Sequence, residues 1–127
     1  MSFDSLSKED KEQIELGLRV VNLLVEKKYD LAYAYLSDEL KSQSTFGELL
    51  YSVVTLEKMM NNMTEHMYNV KEIFVNSQDV KENADPSKDG YIYIPIEVEG
   101  GDSEAISVEF KYDDSKLVIS DIEFGRP

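Results

Sequence analysis

The chain has 127 residues and no cysteine, and its 26 acidic residues against 13 basic ones give a formal net charge of −13. This length accommodates one domain with its own hydrophobic core, and the missing cysteines exclude disulfides, thiol nucleophiles and cysteine-based metal sites. The negative charge argues against nucleic acid and anionic membranes as partners, because both bind basic surfaces.

The first twelve residues carry four acidic side chains and no apolar run, unlike a secretory signal peptide. The apolar stretches of the chain are far shorter than the roughly 20 residues that span a bilayer. A cytoplasmic location is therefore expected.

The first half of the chain has the apolar spacing of helices. Ser7 and Asp10 have the arrangement of a capping box at the start of the first helix. Thr45 and Glu48 repeat that arrangement before the third. The predicted helices cover residues 8–28, 30–37 and 46–62.

The second half alternates apolar and polar residues, which is typical of strands with one buried face. Hairpin turns are predicted at Gly100-Gly101 and at 113–115. Residues 77–89 are polar and predict a long loop, with room for a short edge strand near Val80. The predicted strands cover residues 66–76, 91–99, 104–112 and 116–124.

Helices followed by strands predict a single α+β domain. Three N-terminal helices are expected to pack against an antiparallel sheet of four to five strands. The residues expected to be buried are Leu18, Val21, Val25, Leu50, Val53, Ile94, Val108, Phe110, Ile119 and Ile122.

Residues 21–49, VNLLVEKKYDLAYAYLSDELKSQSTFGEL, resemble the N-terminal region of nuclear-transport-factor-2-like (SnoaL-like) domains, in which a long helix ends in a short aromatic and acidic segment. Residues 108–124, VEFKYDDSKLVISDIEF, are similar to the closing hairpin of that family. The matching positions of the first segment are Lys28, Tyr29, Asp30, Ala32, Tyr33, Leu36 and Ser37.

The resemblance implies a cone-shaped domain, in which a strongly bent antiparallel sheet wraps a long helix and leaves a pocket between them. Many members of the family dimerise through the open sheet face. The superfamily holds enzymes, binding domains and bacterial toxin-immunity proteins, so the fold alone does not select a function.

Few residues suggest catalysis. Asp121 and Glu123 share a strand face and could act as an acid–base pair or hold a cation, but a solvated strand face is the favoured interpretation, as it is for Glu97 and Glu109. His66 is the only histidine, so a multi-histidine metal site is excluded. No catalytic residue, metal or cofactor is predicted.

Two sets of residues suggest binding. Tyr51, Met60, Met63 and His66 could line the mouth of the cone and hold a small apolar ligand, since methionine adapts to varied partners. Tyr91, Tyr93 and Pro95 lie opposite the isoleucine row of their strand, where aromatic side chains suit a protein interface.

The sequence therefore predicts a non-catalytic binding domain that holds a small apolar ligand in the cone or a protein on the sheet face. The protein partner would be a second copy of the chain or a basic protein. One alternative is an acidic toxin-immunity protein that neutralises a basic toxin. Another is a small enzyme of the isomerase or dehydratase type.

Overall fold

The computed structural model describes residues 3–43, 51–65, 73–98 and 103–125. A 3-10 turn at Phe3–Ser5 precedes the first helix. The helices are α1 (Lys8–Val25), α2 (Tyr29–Tyr33), α3 (Asp38–Lys41), α4 (Val53–Thr64), α5 (Ser77–Asn83) and α6 (Pro86–Asp89). The strands are β1 (Ile73–Val75), β2 (Ile92–Val98), β3 (Glu104–Asp113) and β4 (Lys116–Phe124).

The four strands form one antiparallel sheet in the order β1-β2-β3-β4. Ile94 lies opposite Ile106 in the register of β2 and β3, and Val108 lies opposite Ile122 in that of β3 and β4. All four side chains are buried. The predicted α+β class with an antiparallel sheet is confirmed.

Helix α1 packs directly on this inner face of the sheet, at Gly17. A Cβ atom built on Gly17 would lie 3.3 Å from side-chain atoms of Ile94, Val108 and Phe110. Such a distance is tighter than ordinary van der Waals contact, so a side chain at position 17 would have to push these atoms aside by a few tenths of an ångström. The helix and the sheet therefore leave no space between them here.

The ends of α1 follow from local chemistry. The Ser7 hydroxyl accepts the Asp10 backbone N–H at 3.1 Å, as the capping-box pattern predicts. At the other end Lys27 has φ +65°, and the Lys28 N–H donates to the Leu23 carbonyl at 2.8 Å. This is a Schellman motif, and it ends the helix at Val25, before the predicted residue 28.

The predicted number of N-terminal helices was wrong. Four α-helices precede β1 in the described residues, because residues 30–37 do not form one helix but contribute to α2 and lead into α3. Ser37 caps α3 by accepting the Leu40 N–H. Ser52 caps α4 in a capping box with Thr55, so this helix starts later than predicted; residue 45, the predicted cap, lies outside the described residues.

The prediction of a long loop over 77–89 was also wrong, because this segment forms α5 and α6. The Asn76 side chain caps α5 by accepting the Asp79 N–H at 3.0 Å. Asp85 precedes Pro86 at the first position of α6, and Gly90 ends that helix with φ +80°. Each of these helices buries one residue, Val80 in α5 and Pro86 in α6. The sequence therefore lacks the repeated apolar spacing that would predict a helix here.

The last hairpin turn is confirmed. Asp114 and Ser115 have φ +52° and +70°, the left-handed pair of a type I′ turn, and Asp113 pairs with Lys116. The other predicted turn, at residues 100 and 101, lies outside the described residues, as does most of the predicted strand over 66–76. Within the described ranges, no helix is both long and apolar enough to cross a membrane.

The predicted core is largely confirmed. Val53 is the exception: it lies in the first turn of α4 and is 39% exposed, so its prediction was wrong. Val25 and Phe110 are partly buried against the core, and residue 50 lies outside the described ranges. The buried residues of the predicted set are Leu18, Val21, Ile94, Val108, Ile119 and Ile122.

Candidate functional site

The outer face of the sheet, turned away from α1, combines exposed aromatic side chains with carboxylates. The isoleucines of β2 point inward, so Tyr91, Tyr93 and Pro95 lie on the outer face, as the alternation predicts. Tyr91 is 43% exposed and Tyr93 37%. Phe74 on β1 is 40% exposed and pairs with Glu97, which shares this face. We call Phe74, Tyr91, Tyr93 and Pro95 the aromatic half.

Pro95 lies where one edge of β2 loses its strand partner. Strand β1 pairs with β2 from Ile96 to Val98, and Pro95 is the next residue toward the N-terminus of β2. A proline has no N–H to donate to a ladder and is therefore tolerated at such an edge.

The other part of the outer face, the acidic half, consists of Ser107, Glu109, Asp121 and Glu123. The register of β3 and β4 places Glu109 opposite Asp121, and Ser107 opposite Glu123. A β-bulge follows directly between Glu109 and Phe110. These four side chains and Tyr91 line a hollow of about 280 Å³.

Like charges interact unfavourably in the acidic half. The pKa of the Glu109 carboxyl is raised, first by loss of hydration against the sheet, then by a hydrogen bond shared with Asp121, and then by the charges of Asp121 and Glu123. Because Glu109 remains exposed to solvent, water screens part of this repulsion. The acidic half therefore favours either a bound proton or a bound cation.

The lysine nearest to Glu109 along β3 is already paired. Lys111 Nζ lies 2.6 Å from Glu39 Oε1 of α3. This hydrogen-bonded ion pair raises the pKa of Lys111 and lowers that of Glu39. Lys111 therefore leaves the carboxylates of the acidic half uncompensated.

A second hollow, of about 230 Å³, adjoins the first. It lies between the α5–α6 segment and the aromatic half, and Tyr91 lines both hollows. Asp79 and Asp89 contribute carboxylates to the second hollow. Among the described residues that line either hollow there is no lysine or arginine, so every charged side chain of this lining is acidic.

The residues predicted to bind a small apolar ligand do not come together around an open pocket. Tyr51, Met60 and Met63 are buried in the core cluster, and His66 lies outside the described residues. The Tyr51 hydroxyl donates to the Ile122 carbonyl at 3.4 Å. Burial, and then the charges of Asp121 and Glu123, raise the pKa of Tyr51.

The sequence pattern placed Asp121 and Glu123 on one strand face, and Glu109 on an outer strand face. It missed that Glu109 lies opposite Asp121 and that Ser107 lies opposite Glu123. Counting residue pairs outward from the turn at Asp114 gives the correct partners only as far as Phe110. The bulge between Glu109 and Phe110 then shifts the register, so these pairs could not be counted from the sequence. In the part of the chain that the structure describes, no three His, Asp or Glu side chains are arranged to hold a metal ion.

No protein-family model, curated protein or solved structure matches this chain. The resemblance to nuclear-transport-factor-2-like domains therefore stays a prediction, and the function must be argued from the site.

Proposed function

We propose that this chain is a non-catalytic protein-binding module that docks a partner on the outer face of its sheet. The observation that carries the proposal is the set of three aromatic side chains, Phe74, Tyr91 and Tyr93, each more than a third exposed on one sheet face. Aromatic side chains of this kind are enriched at protein interfaces, where they bury a large apolar area.

A protein suits this surface better than a small apolar ligand. Helix α1 closes on the inner face at Gly17, and Tyr51, Met60 and Met63 are used in core packing. Two hollows lie instead on the outer face, and Tyr91 forms a wall common to both. A polypeptide segment can follow such a continuous surface and bury the exposed aromatic rings.

A basic partner suits the surface better than a second copy of the chain. Two copies docked through the acidic half would bring six carboxylates together, from Glu109, Asp121 and Glu123 of each copy. The repulsion already present within one copy would increase. A partner with basic side chains would instead remove it and would associate faster because of the complementary charge. A toxin-immunity protein facing a basic toxin is a special case of this proposal.

A photo-crosslinking amino acid placed at Tyr93 tests the proposal in the cells that make the protein. The expected result is one discrete heterologous adduct, lost when Phe74 and Tyr91 are both replaced by alanine. The control places the same crosslinker at Leu31 of α2, which is apolar, 51% exposed and lines neither hollow of the outer face.

Equal adducts from positions 93 and 31 would mean unspecific capture and would contradict the proposal. An adduct of twice the protein's own mass would identify a homodimer and overturn the choice of a heterologous basic partner. The absence of any adduct at position 93 would contradict the docking of a partner on the outer face.

A further inference from the structure

We propose that the acidic half of the outer face is an arginine pocket, in which a guanidinium group of the partner lies between the Glu109–Asp121 pair and the Tyr91 ring. This inference rests on the proposed function and adds the chemistry by which the partner is recognised. It follows from the register, the size of the hollow and the charges around it.

The register places acceptors on two neighbouring strands. Glu109 and Asp121 are directly opposite each other, a position in which side chains of a sheet contact one another and like charges are destabilising. Glu123 is two residues further along β4 and therefore on the same face. Together they present several carboxylate oxygens toward one hollow.

A guanidinium group matches this arrangement. It is planar, always charged, and donates from a rigid fork that can bond to two carboxylates or bidentately to one. A lysine ammonium is a compact point charge and does not exploit a planar arrangement in the same way. The hollow of about 280 Å³ is at the lower limit of small-molecule sites, and suits one side chain better than a large ligand.

Tyr91 supplies a flat apolar surface beside these charges. It lines the same hollow as the three carboxylates and is 43% exposed. Arginine stacks on aromatic rings while its edge donates hydrogen bonds. Because Tyr91 also lines the second hollow, with Asp79 and Asp89, a partner could continue past the ring with a second basic residue.

The titratable groups that face Glu109 come from β4 and from the residue before β2. Among the described residues they are Asp121 and Glu123 on β4 and Tyr91 before β2. Lys111, further along β3, is held by Glu39. Arginine binding requires Glu109 in its charged form, and loss of hydration and the neighbouring carboxylates raise the pKa of Glu109. Affinity should therefore rise as pH is raised from acid toward neutral.

Titration of the full-length, isotope-labelled chain with short peptides tests this inference by NMR. The probes are a peptide of alternating arginine and glycine, the same peptide with lysine, and one with citrulline, the uncharged isostere of arginine. The expected result is that the arginine peptide binds best and shifts the amide signals of residues 107, 109, 121 and 123. Binding should weaken about tenfold in Glu109→Gln, the usual effect of losing one charged hydrogen-bonded contact.

A matched control removes two charges elsewhere. Glu15 and Asp30 are exposed residues on α1 and α2, and the double variant Glu15→Gln/Asp30→Asn should bind the arginine peptide as the unmodified chain does. Glu109→Gln removes a repulsion, so a folded variant is expected; its amide spectrum checks this before titration.

Several results would overturn the arginine pocket. These are equal binding of the citrulline peptide, equal binding of the lysine peptide, an equal loss of binding in the control variant, or the same signal shifts produced by calcium chloride alone. If the pocket fails while the crosslink at Tyr93 persists, the protein-binding function stands and only the partner's chemistry is wrong. If both fail, the proposed function itself is contradicted.

Discussion

The Ser87 hydroxyl donates to the Asp10 carboxylate, and its Oγ lies 2.7 and 2.9 Å from the two carboxylate oxygens. The contact ties α6 to the first turn of α1 across 77 positions of the chain. Asp10 is 7% exposed, whereas Ser87 lies at an exposed position of α6. In a capping box the Asp10 carboxylate would accept the Ser7 N–H. Here it accepts the Ser87 hydroxyl from α6.

Replacing Ser87 by alanine should therefore destabilise the protein by about 1 kcal/mol, the usual net contribution of one hydrogen bond. Urea unfolding monitored by circular dichroism measures the change. Ser42→Ala is the control, because its hydroxyl bonds locally to the Glu39 carbonyl at an exposed position. Equal losses for the two variants would contradict a special role of the Asp10 contact.

The close approach of α1 to the sheet gives a second prediction. Gly17→Val should destabilise the protein by about 1–3 kcal/mol, because the new side chain has to displace Ile94, Val108 and Phe110. Glu15→Val on the exposed face of α1 measures the effect of valine on the helix itself. If the two variants are equally stable in chemical denaturation, α1 does not lie as close to the sheet as described.

The left-handed residue after α1 gives a third prediction. Lys27 has φ +65°, a conformation that strains side chains with a Cβ atom. Lys27→Gly should raise the free energy of unfolding by about 1 kcal/mol, since glycine adopts this conformation without strain. Lys28→Gly, at the next position, should give no gain. A loss of stability in Lys27→Gly would mean that the Lys27 side chain has a contact more important than the strain.

The strands could be predicted from the sequence because each residue of β2, β3 and β4 lies on one of two faces. The alternation of Ile92, Ile94 and Ile96 with Tyr91, Tyr93 and Pro95 records this directly. Helices α5 and α6 could not be found in this way, since they are short, mostly polar and held by caps. Asp85-Pro86 and Gly90 are residue types typical of turns, and here they begin and end a one-turn helix.

The candidate site could be predicted only in part. The alternation of apolar and polar residues is a local pattern, and it assigns each strand residue to one face of the sheet. It placed Tyr91 and Tyr93 on one face, and Asp121 and Glu123 together on another strand face, correctly. The Glu109–Asp121 pair depends on the register between two strands and on a bulge beside it. Neither leaves a signal in a single sequence, because both are set by packing against the core.

The carboxylates of the acidic half give a fourth prediction, for the dependence of stability on pH. The folded-state pKa of Glu109 lies above its ordinary value of 4.5, so the native state binds more protons than the unfolded state just above that value. The stability contributed by Glu109 is thus present in acid and is lost as pH rises through the folded-state pKa.

Glu109→Gln removes this titration. Its stability should equal that of the unmodified chain in acid, exceed it as pH rises through the folded-state pKa of Glu109, and keep a constant advantage above that pKa. Denaturant unfolding at a series of pH values measures the difference, with Glu15→Gln as the control for loss of one charge. A difference that shrinks as pH rises would contradict the raised pKa of Glu109, which loss of hydration and the charges of Asp121 and Glu123 produce together.

The central claim is that the outer face binds a basic protein, and the dependence of that complex on salt tests it most directly. Sedimentation velocity is measured on the chain mixed with the partner captured at Tyr93, over an ionic strength from about 0.01 to 1 M. The Debye length falls from about 30 to about 3 Å over this range. We predict that the complex weakens steadily as salt increases, while the chain without its partner stays monomeric. A complex that strengthens with salt, or a homodimer that forms when salt screens the net charge of −13, would contradict the account.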